Sequence, residues 1–434
     1  MTCCEAASRL ERIMVKALYS PTYRIKALVN QPVPYNIDLF NGLAAHRGLE
    51  VEVLYLVRHQ GGDNQSYRQL PEQRFANRIL AGLAVRHAAV NPGVLTELGR
   101  SDYDVLLLAG YNHPTLLAAL LWASTSGKPW LLWGDTWSEA TSRGWLVRAL
   151  KQLVLRRTFG TALAVLATGQ SGADSILRLG CPPALAVNFP YCVDVTRPQR
   201  TSAAEEQMNA RIRTLAAGRP VALFVGQLVP RKDPETLLLA LRILRERRRQ
   251  FFAVFAGAGP LESKLQALSR SYGLQESVEF TGFLDLEHLA GCYRAADLFV
   301  LPSQWDAWGA AVAEAQVWGL PVVSTFACCA ARERVKHGEN GFLVRPGDAT
   351  AVANAMDILL HAPARAERFG RRARAIAERW TPDRNAEVLY QLLRHRMPPC
   401  IRGAADGLGP RLRDGKASRG VTRQSSKHWL PLAG

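Results

Sequence analysis

The sequence predicts an α/β protein built from two doubly wound parallel-sheet domains that face each other across a cleft. Three observations carry this. The chain has 434 residues and is 48% hydrophobic, more than one core usually serves, so two domains are expected. Short β-rich runs alternate with helical stretches, the order that a parallel sheet with crossover helices requires. The alternation stops around Asp194–Pro220, in polar, Ala-rich sequence, and then begins again.

In the first half, Ile25–Asn30 reads as a strand, Pro32, Pro34 and Asn36 as a turn, and Ile37–Arg47 as a helix. Strands follow at Val51–Val57, Tyr103–Ala109, Pro129–Trp133, Ala162–Thr168 and Ala184–Asn188, with a helix at Thr115–Ser126. In the second half, strands are expected at Val221–Val225, Phe251–Ala256, Val278–Thr281, Leu298–Pro302 and Pro321–Ser324. Helices alternate with them at Pro234–Arg247, Leu261–Tyr272, Leu286–Ala296 and Ala310–Trp318; later ones cover Ala349–His361, Ala364–Arg379 and Pro382–Arg396. The domains are therefore drawn as an N-terminal extension over 1–23, a first Rossmann-like domain over 24–195 and a connection over 196–219. A second Rossmann-like domain over 220–380 follows, then a helix over 381–396 returning toward the first domain, and a basic tail over 397–434.

Composition excludes several classes. With 34 Gly, 24 Pro and 21% charged residues, the chain is ordinarily globular. No signal peptide is visible, and the longest apolar stretch, Val105–Trp133, is broken by Gly110, Pro114 and Lys128, too often for a membrane span. The eight cysteines form no CxxC pair and no Cys/His metal spacing, so reduced thiols and a cytoplasmic setting are expected. The net charge of +17 is clustered: Ser142–Arg157 holds five cations and no acid, and Leu241–Gln250 holds five Arg against Glu246. The tail holds seven Lys/Arg against Asp406 and Asp414, and its Gly/Arg/Ser-rich composition reads as disorder. Clustered basicity points to an anionic partner or simply to a solvated surface. The stretch Arg143–Phe159 is roughly amphipathic, with Arg148, Lys151, Arg156 and Arg157 flanking Leu146, Leu150 and Leu153. It fits an anionic membrane surface or an ordinary packed helix. No pattern for specific nucleic-acid binding is present.

Ligands of such sheets bind at the carboxyl ends of the strands, and the unusual residues fall there. Gly226-Gln227-Leu228-Val229-Pro230-Arg231-Lys232 follows one strand and precedes a helix. Gly226 permits a tight turn, and Arg231 and Lys232 sit where a helix amino terminus already favours an anion; a solvated surface pair is the plainer alternative. Gly257-Ala258-Gly259-Pro260 is a second strand-to-helix turn. Asp306 and Glu314 lie eight apart, across a strand, a loop with Gly309 and a helix. Two carboxylates beside a cationic clamp suit a diol, whose hydroxyls they can accept. Asp306 could equally be a helix cap. Glu314 lies among apolar neighbours, where an acid needs a partner.

Together these elements resemble glycosyltransferase family 4, the retaining group with the GT-B architecture. The resemblance runs in order through Gly226–Lys232, Gly257–Pro260, Val278–Gly282, Ala296–Ser303, the acid pair Asp306 and Glu314, and the turn Gly338-Glu339-Asn340-Gly341. It covers about Pro220 to Asp348; Asn188–Asp194 and the basic helix Trp145–Phe159 match more loosely. The resemblance implies a donor nucleotide sugar, UDP- or GDP-linked, held by Gly226, Gln227, Gly257, Gly259, Gly282, Ala307, Trp308 and Gly309. It implies that Lys232, with Arg231, contacts the diphosphate, that Glu314 accepts from the ribose, and that Asp306 binds sugar hydroxyls. The leaving phosphate takes the acceptor proton, and no metal or other cofactor is needed. Three positions depart from the family pattern: Gln227 for Arg, Asp306 for Glu, and Cys329 for Gly, where a Cβ is expected to crowd the sugar pocket.

The strand-end rule places the acceptor against Pro32–Tyr35, Gly110–His113 and Trp133–Trp137. Tyr35, His113 and Asp135 are the substrate candidates, with capping of the helix at Thr115 as the plainer role for His113. Asp102-Tyr103-Asp104 has the look of a metal triplet but lies at a strand start, the wrong end for a ligand. The reading is thus a retaining glycosyltransferase acting on a lipid-linked or glycan acceptor, peripheral at the cytoplasmic face of a membrane. A degenerate, non-catalytic scaffold and an epimerase-like enzyme acting on free nucleotide sugars are the alternatives.

Overall fold

The computed structural model describes residues 21–58, 70–85, 88–100, 102–135 and 145–397. The expectations for the N-terminal extension up to residue 20, for Thr136 and Trp137, for the side chains of 145–151 and for the basic tail fall outside the described residues.

Two parallel sheets organise one compact unit. The first has seven strands in the order β3-β2-β1-β6-β7-β8-β9. They are β1 Tyr23–Val29, β2 Leu49–Tyr55, β3 Ala76–Ile79, β6 Val105–Ala109, β7 Trp130–Gly134, β8 Ala164–Ala167 and β9 Ala186–Asn188. A short antiparallel hairpin, β4 Leu83–Val85 with β5 Ala88–Val90, interrupts this domain. The second sheet has six strands in the order β12-β11-β10-β13-β14-β15. They are β10 Val221–Val225, β11 Phe252–Ala256, β12 Val278–Gly282, β13 Leu298–Leu301, β14 Val322–Thr325 and β15 Gly341–Val344. Central strands such as β6 and β10 are continuous apolar runs because helices cover both faces.

Helices of the first domain are α1 Pro34–Ala45, α2 Val94–Gly99, α3 Pro114–Ser126, α4 Trp145–Phe159 and α5 Gly169–Arg178. Those that follow are α6 Ala203–Ala216, α7 Pro234–Glu246, α8 Glu262–Ser271, α9 Leu286–Ala295, α10 Ala310–Val317, α11 Cys329–Arg334, α12 Ala349–Leu360, α13 Pro363–Ala377 and α14 Pro382–Arg396.

The structure differs from the sequence reading at informative places. Pro34 opens α1 rather than preceding it: its missing N–H is one that the first turn leaves unpaired anyway. A single turn of 3₁₀ helix, Pro183–Leu185, takes the start of the strand expected at Ala184, since Pro182 and Pro183 cannot donate to a ladder. The connection over 196–219 holds α6, opened by the Ser202 hydroxyl accepting from the Glu205 N–H at 3.2 Å, a Ser-x-x-Glu start signal. Helix α6 lies on α9 so closely that a Cβ on Gly291 would stand 2.5 Å from the Glu205 carbonyl oxygen. Helix α11 and the edge strand β3 are short and without clear periodicity, and the sequence does not announce them.

Two chain crossings join the domains. At the first, Asp38 of α1 binds Arg197 at 2.6 Å and accepts from the Asp194 N–H at 3.1 Å. At the second, α14 packs on α1, with Tyr390 against Tyr23 and His46 and the Asn385 amide donating to the Pro190 carbonyl at 2.8 Å.

Candidate functional site

The loops that leave β10, β11 and β12 converge. Gly226 has φ +153 and its N–H bonds the Ala256 carbonyl at 3.0 Å. Gly257 donates to the Gly282 carbonyl at 2.9 Å. A Cβ on Gly257 would lie 2.0 Å from the Gly226 oxygen, and one on Gly259 would lie 2.5 Å from the Leu228 oxygen, so backbones here approach closer than any side chain allows. Pro230–Lys232 makes one 3₁₀ turn before Asp233 caps α7 by accepting from the Thr236 N–H at 3.2 Å.

That turn delivers Lys232, buried, beneath Gly226, and its ammonium meets the buried Asp306 carboxylate in direct ion contact. The exposed Arg231 guanidinium stands 3.7 Å from the other Asp306 oxygen. Asp306 is thus no helix cap. It is the anionic member of a three-residue cluster whose cations can share a diphosphate between them. Gly309, at φ +93, is the residue that opens α10.

The loop 306–309 is laced to the segment before and within α11. The Asp306 N–H donates to the Ala327 carbonyl at 3.1 Å, and the N–H groups of Cys329 and Ala330 donate to the carbonyls of Asp306 and Trp308 at 3.3 and 2.7 Å. Trp308 is buried by this lacing, and its ring lies 6.2 Å from that of Tyr191. Cys329 is buried against the 306–309 loop. Its side chain turns to the Ser171 side chain of the first domain, and burial pushes the thiol up.

Glu314 finds the partner that its apolar neighbours demanded. The Tyr293 hydroxyl of α9 donates to Glu314 Oε2 at 2.8 Å. Beside Glu314 opens a pocket lined by Leu286, Leu289, Tyr293 and Trp318, with Val193 and Arg197 closing it from the crossing. The structure therefore gathers Lys232, Arg231 and Asp306 in one cluster and sets Glu314 in a second place on the same helix-loop unit. Gln227 lies half-buried in the glycine loops, its carbonyl accepting from the Val229 N–H at 2.9 Å.

Across the cleft, Asp135 ends the described part of the β7 loop, half-buried. Burial and the negative charge of Asp306 push its carboxyl up to about 6. Tyr35, at the start of α1, meets Tyr191 edge-on at 4.6 Å, and Tyr191 meets Trp133 at 5.1 Å. His113 is neither in this group nor a side-chain cap. It is enclosed, and its Nδ1 accepts from the Ala89 N–H at 3.3 Å, so it ties β5 to α3; burial lowers its pKa and keeps it a neutral acceptor. Asp102 and Asp104 are taken by Lys26 at 2.8 Å and Arg24 at 3.6 Å, at the start of β1.

Sequence reasoning missed Tyr191, Tyr293, Arg197 and Glu333. Glu333 of α11 accepts from the Ser171 N–H of α5 at 3.2 Å and from the Gln170 N–H. Burial pushes its carboxyl up, while those amides pull it back. No local pattern marks these residues, because each partner lies far away in sequence.

Taken together, the two parallel-sheet α/β domains facing a cleft, with glycine loops and a cationic cluster at the strand ends, define the GT-B fold. Solved structures agree on that fold. Anabaena HepE, crystallised with UDP, superposes with a TM-score of 0.67 at 19% identity, covering 86% of this chain and 100% of that one. Sucrose-phosphate synthase from Thermosynechococcus elongatus gives 0.66 at 22%, covering 86% and 98%. Residues 206–376 match the family model of the glycosyl transferases group 1. The match falls on the second α/β domain and the helices that flank it.

Among curated relatives, the GDP-mannose-dependent alpha-(1-6)-phosphatidylinositol monomannoside mannosyltransferase of Mycobacterium tuberculosis is 29% identical over 260 residues, 58% of this chain and 66% of that protein. D-inositol 3-phosphate glycosyltransferase 2 of Catenulispora acidiphila is 36% identical over 221 residues, 48% and 49% of the two chains. The matched stretch thus spans from about half to just under two thirds of these relatives.

Proposed function

We propose that this protein is a retaining glycosyltransferase that moves a sugar from a UDP- or GDP-sugar to a lipid-linked or glycan acceptor. The observation that carries the reading is the cluster of Lys232, Arg231 and Asp306 under the glycine loops, at the carboxyl end of the sheet. Breaking the bond between sugar and phosphate puts negative charge on the departing diphosphate. Lys232 and Arg231 are placed to neutralise that charge as it develops. Asp306 holds the lysine until a diphosphate shares it, and then accepts from sugar hydroxyls. Glu314, fixed by Tyr293, accepts from the ribose. The leaving phosphate accepts the proton of the acceptor hydroxyl, so no enzymic base and no metal enter the scheme. Asp135, Tyr35 and the ring of Tyr191 form the acceptor side.

Calorimetry with UDP and GDP tests this. One nucleotide is expected to bind, and Glu314→Ala to weaken it about tenfold, or 1.4 kcal/mol. Folded protein that binds neither nucleotide would shift the reading to a non-catalytic scaffold. Nucleotide-sugar turnover without an acceptor would favour the epimerase-like alternative.

A membrane-facing location belongs to the same proposal. Leu117 and Leu121 on α3 are 43% and 51% exposed, and Leu153, 53% exposed, lies on α4 with the exposed Arg156 and Arg157. Apolar side chains next to cations suit the anionic cytoplasmic face of a membrane. Among the described residues no helix is long and apolar enough to cross one. Flotation with anionic vesicles at low salt should carry the protein upward, and Leu121→Ser with Leu153→Ser should leave it at the bottom. Equal flotation of the variant would remove this surface from the proposal.

A further inference from the structure

We propose that Glu333 is a cross-domain latch: its carboxylate completes the uncapped amino terminus of α5 and so holds the first domain shut against the 306–309 loop of the second. The first four N–H groups of any helix have no partner within it. In α5 the N-cap residue, Thr168, makes no side-chain cap hydrogen bond. The missing acceptor comes from 162 residues away, where Glu333 takes the Ser171 N–H at 3.2 Å together with that of Gln170. A carboxylate there also meets the positive end of the helix dipole.

The approach is close enough to constrain the sequence of both partners. Gly169, the first residue of α5, has φ +76. A Cβ on it would stand 2.2 Å from Glu333 Oε1 and 2.5 Å from the Trp308 ring. Helix α5 therefore sits on α11 and on the loop of Asp306 at once, with the Cys329 and Ser171 side chains hydrogen-bonded alongside. Because backbone hydrogen bonds lace residues 306–308 to 327–330, that loop and α11 move as one piece. The position of the first domain is thus coupled mechanically to the loop that holds Asp306. The two chain crossings, at Arg197 and at α14, lie on other elements and remain as the hinge when the latch opens.

The inference concerns where the domains sit and does not rest on the transferase reading, so the test uses no substrate. Hydrogen exchange and small-angle X-ray scattering are measured on the full chain. Glu333→Ala is expected to speed exchange at Gln170 and Ser171 about fivefold to tenfold and to enlarge the radius of gyration. Glu333→Gln keeps an acceptor oxygen and is expected to stay near wild type. Gly169→Ala drives a methyl between Glu333 and Trp308 and should open the molecule with the carboxylate still present. Wild-type exchange and wild-type scattering in a folded Glu333→Ala protein would overturn the latch, whatever Gly169→Ala does.

Discussion

The two sheets end at the same cleft in different materials. At the ends of β10, β11 and β12 the chain offers glycine turns and the cluster of Lys232, Arg231 and Asp306. At the ends of the first sheet it offers packed rings, Tyr35, Trp133 and Tyr191, and one half-buried acid, Asp135. The difference separates two ways of building a surface. A site for a diphosphate needs fixed charge and backbone amides at close range, which restricts residue types locally. A surface of rings is assembled from segments far apart, and many residue combinations pack equally well.

The largest expected break of this contrast is Lys232→Ala. It leaves Asp306 buried with only Arg231 nearby, and removing one member of a buried ion pair costs about 3 to 5 kcal/mol. Urea denaturation should register that loss, and calorimetry should show no nucleotide binding. Lys232→Met combined with Asp306→Leu should recover most of the stability but none of the binding, which would separate the structural part of the pair from its chemical one. Unchanged binding in either variant would refute the role given to the cluster.

Asp135 tests the other wall. Its carboxyl rises from an ordinary 3.8 to about 6, chiefly through burial. The folded protein then holds a proton that the unfolded chain releases, so stability is full below about 4 and is lost as pH rises through about 6. Asp135→Asn should therefore be more stable than wild type by up to about 3 kcal/mol at pH 8, with the advantage vanishing near pH 4. Parallel pH–stability curves for the two proteins would show that Asp135 is solvated and does not face Asp306.

The smallest expected effect is at Tyr293→Phe. The Glu314 carboxylate loses one donor at 2.8 Å, and stability should fall by about 1 kcal/mol. Nucleotide affinity should fall less than with Glu314→Ala, because the carboxylate itself remains. An equal loss in both variants would mean that Tyr293, rather than Glu314, touches the nucleotide.

The motif-bearing wall was the more legible one. Gly257 and Gly259 need glycine because a Cβ at each would stand 2.0 and 2.5 Å from a backbone oxygen, and Gly226 because its φ is +153. The Ser202-x-x-Glu205 start of α6 was also written in the sequence, though the surrounding stretch passes for a connection. His113 misleads in the opposite sense. It precedes a helix and looks like a cap, but its ring serves Ala89, which only the hairpin β4–β5 brings near.

By itself the sequence determined the two parallel-sheet domains, the strand-end loops and the residues of the cationic cluster. Periodicity, glycine placement and charge are local properties, and local backbone geometry constrains them. Only the tertiary structure decided that Asp306 pairs with Lys232, that Tyr293 supports Glu314, that Cys329 turns to Ser171, and that Glu333 caps α5. Those contacts join segments between 21 and 162 residues apart. Their free energy exists only once packing has brought both partners to one place, and no local pattern need announce it.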